Sequence, residues 1–121
     1  MSIKILFVDD DENLLRGIER IMKTERPGVG FSICGGADAA LRLLESDEFD
    51  AVIADYRMPG KDGMELLAEV KRRFPSIIRV LLTGQSESDV KDRASSIADR
   101  FFAKPCDSIK LVDEVEKLTG K

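Results

Sequence analysis

The sequence predicts an α/β domain of the (βα)5 kind, a doubly wound five-stranded parallel sheet with helices on both faces. Three observations carry this. Five short apolar runs, mostly β-branched or aromatic, are separated by five segments of helical periodicity. Strand and helix in alternation require a parallel sheet with right-handed crossovers. The runs are apolar throughout rather than at every second residue, as strands covered on both faces are.

The first strand, Ile3–Val8, is broken only by Lys4. A helix follows in which Leu14, Ile18, Ile21 and Met22 share one face, and Pro27-Gly28 ends it. The second strand, Phe31–Cys34, stops at Gly35-Gly36, and "ADAALRLLES" gives a shorter helix. The third strand, Ala51–Ala54, ends in Asp55 before a turn containing Pro59-Gly60. Leu67, Val70 and Phe74 mark the third helix, which stops at Pro75; the fourth strand, Ile77–Leu82, ends in Thr83 and Gly84. Ser86 and Asp89 have the spacing of a capping box for a fourth helix over 86–98. It is the least apolar of the five, with Val90, Ala94 and Ile97 as its anchors. The fifth strand is Phe101–Ala103, and the last helix carries Ile109, Val112 and Val115 on one face. With no repeat or linker, the expectation is one domain over residues 1–121.

A chain of 121 residues suits one core. No apolar run approaches the ~20 residues that cross a bilayer. The start, "MSIKILFVDD", is too short in apolar residues and too quickly acidic for a signal peptide. A cytoplasmic protein without a membrane partner is expected. The net charge of −4 is uneven. Residues 1–60 carry 7 basic and 12 acidic side chains, residues 61–121 carry 12 and 11. No basic stripe exists for nucleic acid. Two cysteines, Cys34 and Cys106, and no histidine exclude a zinc site and read as reduced thiols.

Open parallel sheets bind ligands beyond the carboxyl ends of their strands. Here those ends are Asp9-Asp10, Cys34-Gly35, Asp55, Thr83 and Lys104. Neighbouring strands lie ~4.8 Å apart, so three carboxylates, a hydroxyl and an ammonium converge on one edge. Clustered carboxylates tolerate one another around a hard dication, and Mg²⁺ takes oxygen ligands of this kind. The run Asp9–Glu12 alone reads more readily as a solvated loop in which Asp10 or Asp11 caps a helix, and Asp11 and Glu12 fit that role. The coincidence of strand ends sets Asp9 and Asp10 apart. Asp55, in "ADYRMPGKDG", reads either as the start of a turn or, beside a dication, as a nucleophile that forms an acyl phosphate. Lys104 offers a point charge for phosphoryl oxygens and Thr83 a hydroxyl, though each alone is an ordinary strand-end residue.

"FVDDDE", "ADYRMPGKDG", "LLTG" and "FFAKP", in this order and spacing, resemble the receiver domain of two-component response regulators, and the resemblance covers essentially the whole chain. It implies the flavodoxin-like strand order 2-1-3-4-5. It implies that Asp9 and Asp10 bind Mg²⁺ together with Asp55 and the backbone carbonyl of Arg57. Asp55 would accept phosphate from a sensor histidine kinase or a phosphotransfer protein of a phosphorelay. Thr83 and Lys104 would contact that phosphate, Lys104-Pro105 would be a cis peptide, and Phe101 would be the switch aromatic, where tyrosine is frequent. The implied output is the face of the fourth helix, fifth strand and fifth helix, meeting an effector domain or protein, with homodimerisation on phosphorylation as a further option. Such a protein takes part in its own phosphorylation and dephosphorylation without a separate turnover substrate. Arg57 and Gln85 flank the site where these domains vary, either shielding the phosphate or orienting water. Cys106 follows the Lys-Pro step with no implied partner thiol. Within the family, the wording is similar to receivers joined to HD-GYP outputs.

Two rivals fit less well. An Mg²⁺-dependent aspartyl-phosphate hydrolase of the haloacid-dehalogenase type wants a second aspartate two residues after the nucleophile, where Arg57 stands, and 121 residues leave no room for a cap. A pseudo-receiver that never takes phosphate is disfavoured by Asp9, Asp10, Asp55, Thr83 and Lys104 all being present. A nucleotide site lacks a glycine-rich loop after the first strand.

Overall fold

The computed structural model describes residues 3–84, 88–104 and 107–120. Strand and helix alternate as β1 (Lys4–Val8), α1 (Glu12–Glu25), β2 (Gly30–Cys34), α2 (Ala37–Ser46), β3 (Ala51–Asp55), α3 (Gly63–Arg73), β4 (Ile78–Thr83), α4 (Ser88–Arg93), β5 (Arg100–Ala103) and α5 (Ser108–Thr119). The strands form one parallel sheet in the order β2-β1-β3-β4-β5, the expected flavodoxin-like arrangement. Register positions the carboxyl edge. Val8 faces Ala54, so the next residues, Asp9 and Asp55, leave the sheet side by side. Thr83 faces Ala103, which brings Lys104 to the same edge.

Successive side chains of a strand point to opposite faces, and each face here is sealed by its own apolar layer. Ile5, Phe7, Ile53, Val80 and Leu82 meet Leu15, Ile18 and Met22 of α1 and Leu111, Val112 and Val115 of α5. Leu6, Val8, Val52, Ala54 and Leu81 meet α2, α3 and α4 through residues such as Leu41, Leu66, Val70 and Val90. The side chains of both layers are buried, and each large one fully buried contributes roughly 1.5–3 kcal/mol. No helix of the described residues is long and apolar enough to cross a membrane.

The helix faces differ in detail from expectation. Leu15 completes the buried stripe of α1, while Leu14 lies at its margin and Ile21 is 40% exposed. The helix is rolled toward its Leu15–Met22 side, which leaves the opposite flank of the apolar stripe at the rim. In α5, Leu111 is buried and Ile109 only partly so.

The fourth helix is shorter than 86–98. It ends at Arg93, and residues 94–97 continue as turns in which the N–H groups of Ile97 and Ala98 both donate to the Ala94 carbonyl, at 2.9 and 3.0 Å. The cause is Arg79 on β4, a charged residue only 8% exposed. Its Nε donates to the Ile97 carbonyl at 2.6 Å and its Nη1 to the Ile77 carbonyl at 2.9 Å, while its backbone N–H donates to Asp99 Oδ2 at 2.8 Å. The Ile97 carbonyl therefore points at the sheet. Of the expected capping pair, Ser86 lies outside the described residues. Val90 and Ala94 are buried as expected, with Ala98 beside them and Ile97 packed partly against the same layer.

Candidate functional site

The carboxyl edge gathers the predicted residues. Asp9 follows β1 and is 3% exposed. Its N–H donates to the Cys34 carbonyl at 3.1 Å, extending the strand pairing by one residue, and its Oδ1 accepts the Asp11 N–H at 3.0 Å. Asp10 is exposed. Asp11 is the N-cap of α1, its Oδ1 accepting from the N–H groups of Asn13 and Leu14 at 3.0 and 3.2 Å, and Glu12 lies in the first turn, where a helix favours negative charge. The acidic run thus divides into two residues that face the edge and two that start a helix.

Asp55 is the last residue of β3 and is 7% exposed. The loop after it is closed at both ends. The Tyr56 N–H donates to the Leu82 carbonyl, and the Tyr56 carbonyl accepts from the Gly63 N–H, both at 2.8 Å. Gly60 takes a left-handed φ of 76°, which suits glycine. Asp62 caps α3 in a reciprocal capping box with Glu65. Gly63 has no room for a side chain, since a Cβ there would lie 2.3 Å from the Asp55 carbonyl oxygen and 2.9 Å from Leu81 Cδ1. Gly63 therefore belongs to the site's framework. The only signal for it in the sequence was Asp62-Gly63, which reads equally well as turn chemistry.

Lys104 follows β5. Its backbone N–H donates to the Thr83 carbonyl at 2.8 Å. Its ammonium lies 3.3 Å from Asp9 Oδ2 and 3.2 Å from Asp55 Oδ2. Burial and then the neighbouring Asp9 push the Asp55 carboxyl above its ordinary range, against the opposing pull of Lys104. Burial acts to lower the Lys104 ammonium, but Asp55 and Asp9 together raise it. One cation shared by two buried carboxylates is held firmly protonated without fully offsetting the cost of burying Asp55. Carboxylate oxygens of Asp9, Asp10 and Asp55 lie within 4.8 Å of one another, a set of hard oxygen donors able to hold a metal ion.

Thr83 ends β4. Strand alternation puts it on the same face as Leu81, whose β5 partner is Phe101. Phe101 is half-buried against the layer containing Val90 and Ala94. The Arg57 side chain is exposed, with its guanidinium 6.0 Å from the centre of the Tyr56 ring, and it lines a cleft of about 400 Å³ with Asp10, Met58 and Asp62. Cys34 is a half-buried free thiol whose burial raises its pKa. Gln85, Pro105 and Cys106, and with them the expected Lys104-Pro105 cis peptide, lie outside the described residues.

The sequence profile described as the response regulator receiver domain matches residues 5–116. The chain belongs to this family. Among curated relatives, the receiver domain is 32% identical to the response regulator protein FleR of Pseudomonas aeruginosa, over 97% of this chain and 24% of FleR. It is 29% identical to the chemotaxis protein CheY of the same species, over 96% of this chain and 95% of CheY. It spans only 23–33% of the length of FleR and two other regulators that it matches. A solved structure of the response regulator protein TrrA from Thermotoga maritima in complex with Mg²⁺-BeF superposes with a TM-score of 0.82 at 28% identity, covering 96% of this receiver and 98% of TrrA.

Proposed function

We propose that this receiver domain is a phosphorylation-controlled switch of the cytoplasm in which Asp55 takes a phosphoryl group from a histidine kinase or phosphotransfer protein. The observation that carries the reading is the convergence of Asp9, Asp10, Asp55 and Lys104 on one sheet edge, with Lys104 3.2 Å from the Asp55 carboxylate. A carboxylate oxygen of Asp55 attacks phosphorus. The P–N bond of the donor phosphohistidine breaks, the imidazole leaves and takes up a proton, and an acyl phosphate remains on Asp55. Lys104 is placed to meet the charge on the transferred oxygens. The carboxylates of Asp9, Asp10 and Asp55 and the Arg57 carbonyl would hold Mg²⁺, which when bound offsets the negative charge gathered at phosphorus. The Mg²⁺-BeF complex of TrrA supports this assignment by analogy.

The acyl phosphate carries roughly −1.5 to −2 charge, a net gain of only about −0.5 to −1 over the Asp55 carboxylate it replaces, and brings three acceptor oxygens to the site. The Thr83 hydroxyl answers it from the end of β4, and Phe101, on the same face, follows into the space behind. The output is then the face of α4, β5 and α5, offered to an effector domain or protein. The domain acts as substrate and catalyst of its own modification rather than as an enzyme with a separate turnover substrate.

Acetyl phosphate with Mg²⁺ should add one hydroxylamine-labile phosphoryl group, read by intact mass, and EDTA should block it. Asp55→Asn should remain folded and unmodified; a phosphoryl group on that variant would overturn the assignment. Beryllofluoride should move amide resonances between residues 88 and 104 in wild type, and much less in Thr83→Ala.

A further inference from the structure

Tyr56, the residue after Asp55, has its backbone gripped from both sides by Leu82 and Gly63. Its ring packs against the layer that contains Val90 and Ala94. Its hydroxyl accepts a hydrogen bond from Arg93 Nη2 at 3.2 Å. Arg93 is the last residue of α4, and its Nε lies 3.5 Å from Asp89 Oδ2 one turn earlier. Two separate edges of one guanidinium are thus engaged, one on the helix itself and one on the acceptor loop. The chain just beyond is fixed independently. Arg79 holds the Ile97 carbonyl and Asp99, and Lys71 of α3 donates to the Ser96 carbonyl.

We propose that Tyr56 and Arg93 are a positioning pair that holds α4 against the loop following Asp55. A displacement of that loop then reaches α4 through the acceptor's immediate neighbour, alongside the path through Thr83 and Phe101. What displaces the loop rests on the proposed phosphorylation of Asp55; the tie itself belongs to the unphosphorylated chain. The geometry favours a tie over an incidental surface contact. Tyr56 cannot swing at its backbone, its ring is held in the apolar layer, and Arg93 is oriented by Asp89.

Amide hydrogen exchange by NMR on the unphosphorylated 121-residue chain tests this. Tyr56→Phe removes the hydroxyl and leaves the ring, and Arg93→Gln removes the other partner. The Ala94 N–H donates to the Val90 carbonyl at 2.9 Å and reports the last turn of α4. The Asp99 N–H donates to the Arg79 carbonyl at 2.7 Å and reports the clamp and the global fold. Each variant should speed exchange at Ala94 by roughly two- to tenfold, the scale of one net hydrogen bond, with Asp99 unchanged. The double variant should be no faster than the faster single. Asp89→Asn, which removes the intrahelical pair and an acidic charge from the first turn of α4 but leaves the Tyr56–Arg93 bond, should change Ala94 less than Tyr56→Phe does. An unchanged Ala94 rate in Tyr56→Phe, or single effects that multiply in the double, would overturn the pairing. Beryllofluoride with Mg²⁺ should speed Ala94 exchange in wild type and by a smaller factor in Tyr56→Phe, where the path through Thr83 and Phe101 remains. A wild-type spectrum indifferent to beryllofluoride would refute the phosphorylation reading, while the exchange rates would still decide the tie.

Discussion

Replacing Gly63 by alanine sets two physical effects against each other. Gly63 opens α3, and a glycine in a helix costs up to about 1 kcal/mol relative to alanine, so propensity alone predicts a gain. The new methyl, however, would lie 2.3 Å from the Asp55 carbonyl oxygen and 2.9 Å from both the Asp55 carbonyl carbon and Leu81 Cδ1. Two of these three atoms are backbone at the end of β3 and cannot rotate away. Restoring ordinary contact requires the start of α3 or the end of β3 to shift by about 1 Å, and overpacking of this kind costs about 1–3 kcal/mol. Sterics should win, for a net loss of about 1 kcal/mol once the propensity gain is subtracted. In urea this is a midpoint about 0.5 M lower, for an m-value of roughly 2 kcal/mol/M. Gly17 in α1 has nothing within 4 Å of an added Cβ, so Gly17→Ala should stabilise by about 0.5–1 kcal/mol. The same shift would move the acceptor, and misplacement by about 1 Å can cost on the order of a hundredfold in rate. Labelling of Gly63→Ala by acetyl phosphate should therefore slow far more than its stability loss explains. If the two alanine variants shift the midpoint in the same direction, and Gly63→Ala is labelled at the wild-type rate, the close approach does not constrain Asp55.

The raised Asp55 carboxyl predicts a pH signature. A carboxyl whose folded pKa lies above its unfolded value contributes stability that is present below about pH 4 and lost as pH rises through the folded pKa. Without Mg²⁺, Asp55→Asn should therefore gain on wild type in urea melts between pH 4 and pH 7; a gap that shrinks over that interval would contradict burial as the cause. Mg²⁺ should raise the Tm of wild type as RT ln(1 + [Mg²⁺]/Kd) in free energy and that of Asp10→Asn much less; equal shifts would remove Asp10 from the metal site. Arg79→Met should cost about 2–4 kcal/mol by stranding the carbonyls of Ile77 and Ile97, whereas Asp99→Asn, at a carboxylate 39% exposed, should cost about 1 kcal/mol or less. An Arg79→Met midpoint equal to that of wild type would mean that the clamp adds nothing.

The strands were legible because buried parallel strands are written as short apolar runs, and the residue that ends each run reaches the ligand edge by topology alone. Asp9, Asp55, Thr83 and Lys104 could be placed without coordinates for that reason. What could not be read depends on partners without a sequence signature. Arg79 looks like a flaw in the run "IIRVLL", yet it is satisfied by backbone carbonyls, which every residue carries. Its grip on Ile97 also ends α4 early, against a periodicity that continues past Arg93. Tyr56 and Arg93 are 37 residues apart and meet only once the sheet is assembled. Gly63 is dictated by a steric distance, and Ile21 by how far α1 is rolled on the sheet. Neither quantity is encoded in spacing.

The two apolar layers described above share no side chain, because a wall of backbone lies between them. Volume changed on one side is therefore poorly felt on the other. The α2–α3–α4 side contains the short helix and the half-buried Phe101, while the α1–α5 side closes over Ile5, Phe7 and Ile53. Half of the domain can repack, by signal or by evolution, while the other half keeps β1 and β3 level and the three carboxylates in mutual reach. Partner surfaces can diversify on such a chassis without the chemistry having to be rebuilt each time.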